Sequence, residues 1–264
     1  MPRTVVITGA SSGIGRDVAA MFARCGDTVY DLSRTEKPQE GVSHVYCDVT
    51  LRPTILQAFE TILQKHSCID ILILCAGIGM AGSVEHITAE DMHRQFEVNT
   101  FGPISVIQSA LPLLRARKEP RTIRRIVFVS SMAAAFGIPF QAMYSATKAA
   151  VNSLAFSLSN ELYAQGISVT VVMPGDVKTD FQRKTNLAGT DVYPHMQDAI
   201  SQMERDEANG LSSQSVARKV FRAATRKKVA LFYTSDLKSN MECLLQRLVP
   251  TRFALYVVRK MYHC

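Results

Sequence analysis

The stretch QAMYSATKAAV, residues 141–151, places Tyr144 and Lys148 four residues apart in a run that favours helix. Residues at that spacing share one helix face, with Cβ atoms about 5 to 6 Å apart. A phenol has a pKa of about 10, and a neighbouring ammonium group favours the phenolate and lowers that pKa. The pair therefore has the composition of a proton-transfer device, although in an arbitrary helix such a pair is usually solvated surface.

A serine upstream of the pair favours the catalytic interpretation. Ser131 ends a strand-like run thirteen residues before Tyr144, and open α/β sheets bind their ligands at strand ends. Ser130 is adjacent and is the alternative, but the spacing and the alternation of side chains along the strand favour Ser131. Small residues around the Tyr144–Lys148 pair leave room for a cofactor or for another helix.

The elements that must position these residues alternate along the chain. Short runs rich in β-branched and aromatic residues predict strands at 4–8, 28–33, 43–48, 69–75, 125–131, 168–174 and 229–233. Longer segments compatible with helix lie between them, at 13–25, 53–66, 89–116, 140–165 and 212–225. This alternation predicts an α/β fold: a single-domain, Rossmann-like, doubly wound sheet of about seven parallel strands with helices on both faces. We expect this domain to span 1–235, with 236–264 as a basic, apolar, helical extension.

Composition bounds the class of protein. The 264 residues are 47% hydrophobic and 20% charged, which fits one sizeable globular core. No signal peptide is evident, and no apolar run approaches the ~18 residues that span a bilayer. The six cysteines show no metal-ligand spacing. We therefore expect reduced thiols, no metal site and a cytoplasmic location, with a peripheral position on a membrane as the alternative.

A glycine-rich turn, TGASSGIG at residues 8–15, follows the first strand and opens the first helix. Glycine permits a tight turn and a close backbone approach to a pyrophosphate, whose charge the helix N-terminus favours. The spacing is G-x-x-x-G-x-G, and its place on the first strand-to-helix junction predicts dinucleotide binding. The candidate contacts are Gly9, Ser11, Ser12, Gly13, Ile14 and Gly15.

Four motifs in this order resemble the short-chain dehydrogenase/reductase family: TGASSGIG, the asparagine of EVNTFG (97–102), YSATK (144–148) and a later PG pair (174–175). The resemblance covers roughly residues 3 to 235. It implies that Tyr144 is the acid/base and that Lys148 lowers its pKa and holds the nicotinamide ribose. It also implies that Ser131 hydrogen-bonds the substrate oxygen and that Asn99 supports a proton-relay water.

The end of the second strand, VYDLSR at 29–34, bears on the choice of cofactor. NAD enzymes of this kind place an acid there for the adenosine ribose. Ser33 and Arg34 occupy that end instead, and a hydroxyl beside a guanidinium suits a 2′-phosphate, so we expect NADP(H) rather than NAD(H). Asp31 is the competing acid, and a register shifted by two residues would favour NAD(H).

The resemblance implies further cofactor contacts. Asp48 and Val49 match residues that contact adenine, and the P-G-x-V-x-T segment, with Pro174, Gly175, Val177 and Thr179, matches the loop that caps the nicotinamide amide. Where the family usually has N-N-A-G, this chain has LCAG at 74–77. Cys75, Ala76 and Gly77 keep the backbone approach, whereas the lost asparagine side chains predict weaker local bracing.

Apolar residues near the proposed catalytic group predict a hydrophobic substrate. The candidate wall residues are Met132, Phe140 and Phe181, which we place beside Ser131, together with Met80, Phe136, Met143 and Met173. Steroid-, retinoid- and lipid-like carbonyls all fit, and PGDVKTDF resembles the steroid and retinol dehydrogenase-like branch. A 3-oxoacyl-carrier-protein reductase and a non-catalytic dinucleotide-binding sensor or scaffold remain as alternatives. The polar, irregular segment 185–210 is a candidate lid.

The basic charge of the chain is concentrated at its end. Residues 212–264 carry a net charge of +9. Because the net charge of the whole chain is +7, residues 1–211 carry a net charge of −2. The piece after Pro250 alternates basic and apolar residues and is too apolar for a solvated helix. It packs on the body or on a sister subunit of a homo-oligomer, or it lies on an anionic membrane surface. No aromatic and basic platform suggests nucleic-acid binding.

Overall fold

A seven-stranded parallel sheet forms the centre of this computed structural model, which describes residues 2–117, 122–181 and 183–264. The strands are β1 (Thr4–Thr8), β2 (Thr28–Ser33), β3 (Val42–Tyr46), β4 (Ile71–Leu74), β5 (Gly79–Ala81), β6 (Arg125–Val129), β7 (Ser168–Met173), β8 (Val177–Lys178), β9 (Arg183–Thr185), β10 (Leu211–Ser212) and β11 (Phe232–Thr234). The order across the main sheet is β11-β7-β6-β4-β1-β2-β3, and β5 pairs with β9 while β8 pairs with β10. The strand order reverses direction at β1 and β4, as in a doubly wound sheet.

Helices cover both faces of the sheet. They are α1 (Gly13–Arg24), α2 (Arg52–Leu63), α3 (Ala89–Phe96), α4 (Gly102–Ala116), α5 (Ala142–Glu161), α6 (Met196–Ala208), α7 (Ser213–Thr225), α8 (Leu237–Leu248) and α9 (Thr251–Met261). The central strands are apolar on both faces: Val5 and Ile7 pack with α1 and α7, whereas Val6 faces the layer of α2, α4 and α5. The predicted fold class is therefore confirmed.

The helix predicted over 89–116 is interrupted. A wide, π-helical turn at Glu97–Phe101 separates α3 from α4. Pro103 stands in the first turn of α4, where its missing N–H is tolerated, whereas further inside a helix it would break a hydrogen bond. Such π-helical turns are frequent at functional sites, and this one contains Asn99.

The segment after β7 is held to the body at two points. Its helix α6 buries Met196, Ala199, Ile200 and Met203, while the pairs β5–β9 and β8–β10 tie its two ends down. The chain then continues through α7 and β11 into α8 and α9. In the described part of the chain, no helix has the length and hydropathy to cross a bilayer, and no group of three or more ligand-type side chains could hold a metal ion.

A buried arginine joins β6 to the end of α7. Arg125 is 2% exposed and donates through Nη1 to carbonyl oxygens at the C-terminal end of α7, those of Ala223 (2.7 Å), Ala224 (3.1 Å) and Arg226 (2.7 Å). Its Nε donates to the Ser168 hydroxyl at 2.9 Å. The partial negative charge of a helix C-terminus favours a cation there, although burial lowers the pKa of this guanidinium.

Candidate active site

Most of the predicted site residues lie around one large cavity at the carboxyl edge of the sheet. It has a volume of about 1420 Å³, above the range typical of single small-molecule sites. The loops after β1, β2, β3, β4, β6 and β7 line one side, and α6, α8 and α9 line the other. The cavity therefore has room for a dinucleotide and for a second ligand.

Tyr144 lies near the start of α5, half-buried, where its side chain reaches the cavity. Burial raises the pKa of Tyr144 to about 12, and a hydrogen bond with the Ser131 side chain opposes that rise. The Lys148 Nζ is 5.7 Å from the centre of the Tyr144 ring, as the shared helix face predicts. The pKa of Tyr144 is thus raised and not lowered as predicted, because burial of the phenol outweighs the hydrogen bond with Ser131 and the charge of Arg183.

Lys148 is itself buried, and its amino group is directed at the loops that bind the cofactor in this class of fold. Burial lowers the pKa of Lys148 to about 8. Its Nζ donates to the carbonyl oxygen of Val129 at 3.2 Å. It also lies 3.6 Å from the position that a Cβ would take on Gly77. A side chain at Gly77 would therefore be in ordinary contact with this amino group, and it would press more closely on the Asn99 Oδ1, at 3.3 Å.

The two adjacent serines point in different directions. The Ser130 hydroxyl is buried and donates to the Lys148 backbone carbonyl at 3.4 Å. The Ser131 hydroxyl accepts from the Ala133 N–H at 3.1 Å and bonds to Tyr144. Of the two, Ser131 is the one with a hydroxyl beside the phenol.

Asn99 connects the loop after β4 to helix α5. Its Oδ1 accepts from the Ile78 N–H at 2.9 Å, and its Nδ2 donates to the Ile78 carbonyl at 2.9 Å and to the Thr147 hydroxyl at 3.1 Å. The Thr147 hydroxyl donates in turn to the Tyr144 carbonyl at 2.8 Å. Asn99 is 1% exposed, so its side chain braces the backbone beside Tyr144 and does not line the cavity.

The glycine turn has the close backbone packing that its sequence predicts. Gly9 has φ +72°, and a Cβ there would lie 2.9 Å from the Ala76 Cα. A Cβ on Gly15 would lie 2.3 Å from the Gly9 carbonyl oxygen. The Ser12 side chain makes no capping bond to α1, whose first turn contains no acid. The helix N-terminus is therefore open to an anion, and Gly9, Ser11, Ser12, Gly13, Ile14 and Gly15 all line the cavity.

Asp31, the acid in the second strand, holds the glycine turn in place and is not directed at a ribose site. Asp31 is buried, its Oδ1 accepts from the Ala10 N–H at 2.8 Å, and its Oδ2 accepts from the Ser33 hydroxyl at 2.8 Å. Asp31 thus braces the glycine turn from below, while Ser33 and Arg34 line the cavity. Lys37 lines it as well. Sequence reasoning missed Lys37, although a second cation three residues after Arg34 was a visible signal.

The adenine-side and amide-side candidates also line the cavity: Asp48, Val49, Cys75, Ala76, Gly77, Pro174, Gly175, Val177 and Thr179. The bracing expected to be weak beside Cys75 comes from Thr8, whose hydroxyl accepts from the N–H groups of Cys75 and Ala76 at 3.2 Å each. Burial raises the pKa of the Cys75 thiol to about 12, so this thiol stays protonated at neutral pH. The backbone of the loop is therefore held without the asparagine side chains.

The predicted apolar wall is only partly correct. Met132, Phe136 and Phe181 line the cavity, and the Phe181 ring centre lies 6.0 Å from that of Tyr144. The prediction that Phe140 lines it is wrong. Phe140 packs against Tyr193, with ring centres 6.0 Å apart, in a cluster with Ala81 and Met196. Met80, Met143 and Met173 are likewise outside the cavity lining. Met80 and Met173 are buried, and Met173 packs in the main core.

The cavity also contains a group of charged residues that no motif or spacing in the sequence predicted. Arg183 forms an ion pair with Glu207, and Asp176 and Asp206 line the same part of the cavity. Arg183 and Glu207 act on the Tyr144 phenol in opposite senses, the arginine favouring its ionised form. Burial raises the pKa of both Glu207 and Asp176. These residues come from β9, α6 and the loop after β7, so only the tertiary structure brings them together.

A family model described as short chain dehydrogenase matches residues 3–189 of the chain. The chain belongs to the short-chain dehydrogenase family. It is therefore a dinucleotide-binding oxidoreductase that interconverts carbonyl and alcohol groups. The family resemblance of the motifs is thereby confirmed.

Similar proteins of this family match over nearly their whole length. The chain is 32% identical to a 3-ketodihydrosphingosine reductase of Bacteroides thetaiotaomicron, over 86% of this chain and 85% of the relative. It is 28% identical to an NADPH-dependent 3-dehydrocapnine reductase of Ornithobacterium rhinotracheale, over 95% and 94%. The crystal structure of a short-chain dehydrogenase from Streptomyces avermitilis superposes with TM-score 0.82 at 25% identity, covering 100% of this chain and 98% of that one. The structural similarity thus includes the final helices, beyond the range of the sequence motifs.

Proposed function

We propose that this short-chain dehydrogenase uses NADPH to reduce a ketone on a long-chain, amino-bearing lipid. One observation carries the proposal: Tyr144 and Ser131 stand in a cavity that has charged residues near the phenol and an apolar wall from α8 and α9. An amphiphile whose carbonyl is close to a polar head group fits this cavity, because the head group would meet the charged residues and the apolar chain would meet α8 and α9. The bound cofactor supplies the hydride that reaches the carbonyl carbon.

The protein's own residues handle the proton. With a pKa of about 12, Tyr144 holds its phenolic proton at neutral pH and donates it to the carbonyl oxygen. The Ser131 hydroxyl polarises the same oxygen, and the resulting phenolate is stabilised by the Lys148 ammonium group 5.7 Å from the ring centre. Lys148, with a pKa of about 8, suits a group that passes a proton back to Tyr144 near neutral pH. Asn99 holds the backbone around Tyr144 for this step.

The glycine-rich turn and the loops beside it fit a dinucleotide. A Cβ would overlap backbone at Gly9 and at Gly15, so the turn admits a close approach of a pyrophosphate. Preference for NADPH rests on Arg34 and Lys37, two exposed cations at the end of β2. Asp31 is occupied by Ala10 and Ser33, and is not free to accept from a ribose. The printed name of the Ornithobacterium relative, NADPH-dependent, supports the same preference.

The cofactor preference is tested by the double variant Arg34→Ala, Lys37→Ala. Charge-assisted hydrogen bonds contribute about 1.5 to 3 kcal/mol each when well formed, so we expect the KM for NADPH to rise at least tenfold. The KM for NADH should change less than threefold, because NADH lacks the 2′-phosphate. Arg24→Ala, an exposed cation on the same helix–strand unit, is the matched control. A wild-type preference for NADH would contradict the proposal.

The proposed substrate class rests on the charged group. An ammonium group beside the carbonyl would face Glu207, Asp176 and Asp206, which line the cavity near Tyr144. The Bacteroides relative is named for 3-ketodihydrosphingosine, a long-chain ketone with an amine next to its carbonyl. In this molecule the ketone lies between the amine and the alkyl chain, so a ketone at Tyr144 would place the amine toward the charged residues and the chain toward the apolar wall of α8 and α9.

A panel assay tests this substrate. NADPH consumption is followed with 3-ketodihydrosphingosine, its N-acetyl derivative, a 3-oxoacyl thioester, a ketosteroid and retinal, with Tyr144→Phe as the inactive control. We expect the free amine to have the highest kcat/KM, and the N-acetyl form to lose at least tenfold because it lacks the positive charge. Preference for the thioester would favour an acyl-carrier-protein reductase. NADPH binding without turnover of any compound would favour a dinucleotide sensor.

A further inference from the structure

The two C-terminal helices expose an unusual amount of apolar surface. Of the 21 large apolar side chains that are exposed in the described chain, ten lie on α8 and α9. Helix α9 has no buried residue at all. Its end is attached to the body by Tyr262, which is 9% exposed and packs with Ala199 and Met203 of α6. We call the exposed surface of α8 and α9, with its ten exposed apolar side chains, the tail face. The tail face is thus fixed in place while these side chains remain in solvent.

The tail face surrounds the opening of the cavity. Five of its exposed side chains also line the cavity, and they are Leu237, Leu245, Phe253, Val257 and Met261. A side chain that is both solvent-exposed and part of a cavity wall stands at its rim. Whatever covers the tail face therefore also covers the entrance to the site of Tyr144.

The charges on helix α9 have one sign, whereas α8 also carries Glu242, which pairs with Lys238 at 3.8 Å. Helix α9 carries Arg252, Arg259 and Lys260 and no acid. Arg252 and Arg259, seven residues apart, share the side that points away from the body, while Phe253, Val257 and Met261 follow the flank at the rim. The Lys260 Nζ lies 5.9 Å from the centre of the Tyr256 ring, on the same exposed side. Exposed basic and aromatic residues along one helix are typical of helices that lie in a membrane interface.

We propose that the tail face docks on an anionic lipid surface, with the opening of the cavity directed at the bilayer. A second copy of the chain fits this face less well. A twofold contact through α9 would set its three cations against the same cations of the copy, and like charges across an interface are unfavourable. A lipid surface offers negative head groups to the cations and acyl chains to Phe253 and Val257. Docking itself does not depend on the proposed function, whereas delivery of a lipid ketone from the bilayer does.

Vesicle flotation with the full-length protein, without substrate, tests the docking. We compare vesicles of phosphatidylcholine with vesicles that also contain phosphatidylserine. Each basic residue near an anionic surface contributes about fivefold to the partition constant, so Arg252→Gln, Arg259→Gln, Lys260→Gln should weaken binding on the order of 100-fold. The matched control is Arg24→Gln, Lys65→Gln, Arg218→Gln, three exposed cations on other surfaces with the same change in net charge. This control should keep binding within about fivefold of wild type.

The apolar part of the tail face is tested by Phe253→Ser, Val257→Ser, which should weaken vesicle binding on the order of tenfold. Both residues are exposed, so the circular dichroism spectrum and thermal midpoint should stay unchanged. Wild-type protein that fails to float with anionic vesicles overturns the proposal, as does an equal loss in the control triple variant. A dimer in size-exclusion chromatography that this double variant dissociates, without vesicle binding, would assign the face to a second copy. Turnover of the substrate panel is scored separately, so failure of the proposed reaction and failure of docking are distinguishable.

Discussion

The Gly9→Ala substitution tests how the glycine turn is built. Gly9 has φ +72°, a conformation that costs an L-residue about 1 to 2 kcal/mol. The added Cβ would also lie 2.9 Å from the Ala76 Cα and 3.0 Å from its nitrogen, whereas ordinary contacts begin at 3.4 Å. Both neighbours are backbone atoms, so the loops after β1 and β4 must separate by about 0.5 Å, and overpacking of this kind costs about 1 to 3 kcal/mol.

Gly26→Ala is the matched control for this substitution. Gly26 follows α1 with φ +78°, and a Cβ there would meet nothing within 4 Å. It carries the same conformational cost without the overlap, so the difference between the two variants isolates the steric part. At about 2 to 4 °C per kcal/mol for a chain of this size, we expect the thermal midpoint to fall by about 2 to 8 °C for Gly26→Ala. For Gly9→Ala, whose two costs together come to about 2 to 5 kcal/mol, we expect a larger fall, of about 4 to 20 °C.

The two variants should also differ in cofactor binding. Separation of the loops moves the amides that face the pyrophosphate, so the Kd for NADPH should rise at least tenfold in Gly9→Ala and stay unchanged in Gly26→Ala. Calorimetric titration and thermal denaturation measure the two effects. If Gly9→Ala matches Gly26→Ala in both midpoint and Kd, the close contact with Ala76 does not constrain the turn, and the reasoning is refuted.

Three further predictions concern the buried polar groups. Because Lys148, with a pKa of about 8, is charged below that pH and neutral above it, the KM for NADPH should be constant from about pH 6 to 7.5 and rise above about pH 8. Initial rates measure this, and kcat should fall in the same window, because a neutral Lys148 neither stabilises the Tyr144 phenolate nor returns its proton, although Tyr144 itself, with a pKa of about 12, stays protonated. Arg125→Met should lower the free energy of unfolding in urea by about 2 to 4 kcal/mol and leave KM unchanged, since three carbonyls at the end of α7, two of them buried, lose their donor. Asn99→Ala removes three hydrogen bonds, so kcat should fall about tenfold or more with a loss of about 1 to 3 kcal/mol in stability, whereas an unchanged kcat would contradict its bracing role.

Local patterns were sufficient for the elements and for most of the cofactor loop. Strands buried on both faces show as continuous apolar runs, and a glycine turn at the first strand-to-helix junction has a fixed place in the sheet. Element ends were less predictable. The π-helical turn at Glu97–Phe101 and the late start of α5 depend on Pro103 and on Phe140, whose φ of +58° does not fit a helix. These features depend on individual backbone conformations and not on hydrophobic periodicity.

Asp31 shows why the sequence left the cofactor open. Its distance along the strand from Ser33 allowed either residue to face the ribose, and only the hydrogen bonds to Ala10 and Ser33 assign it to the glycine turn. The effect of replacing the family's asparagines by Leu74 and Cys75 could likewise not be predicted from the sequence. Nothing in LCAG reveals that the Thr8 hydroxyl, 67 residues earlier, accepts from the N–H of Cys75.

The sequence by itself indicated the doubly wound sheet through the alternation of its elements, and the family through four motifs in a fixed order. It also predicted Ser131, Tyr144 and Lys148 as site residues, because their candidacy depends on spacing along one strand and one helix. The tertiary structure decided the direction in which the pKa of Tyr144 moves, since burial of the phenol raises this pKa more than the hydrogen bond with Ser131 and the charge of Arg183 lower it. It also decided the charged group of Asp176, Arg183 and Glu207 and the apolar rim of the cavity. Those features are made by side chains from separate elements, and their meeting depends on how the sheet, α6 and the final helices pack together.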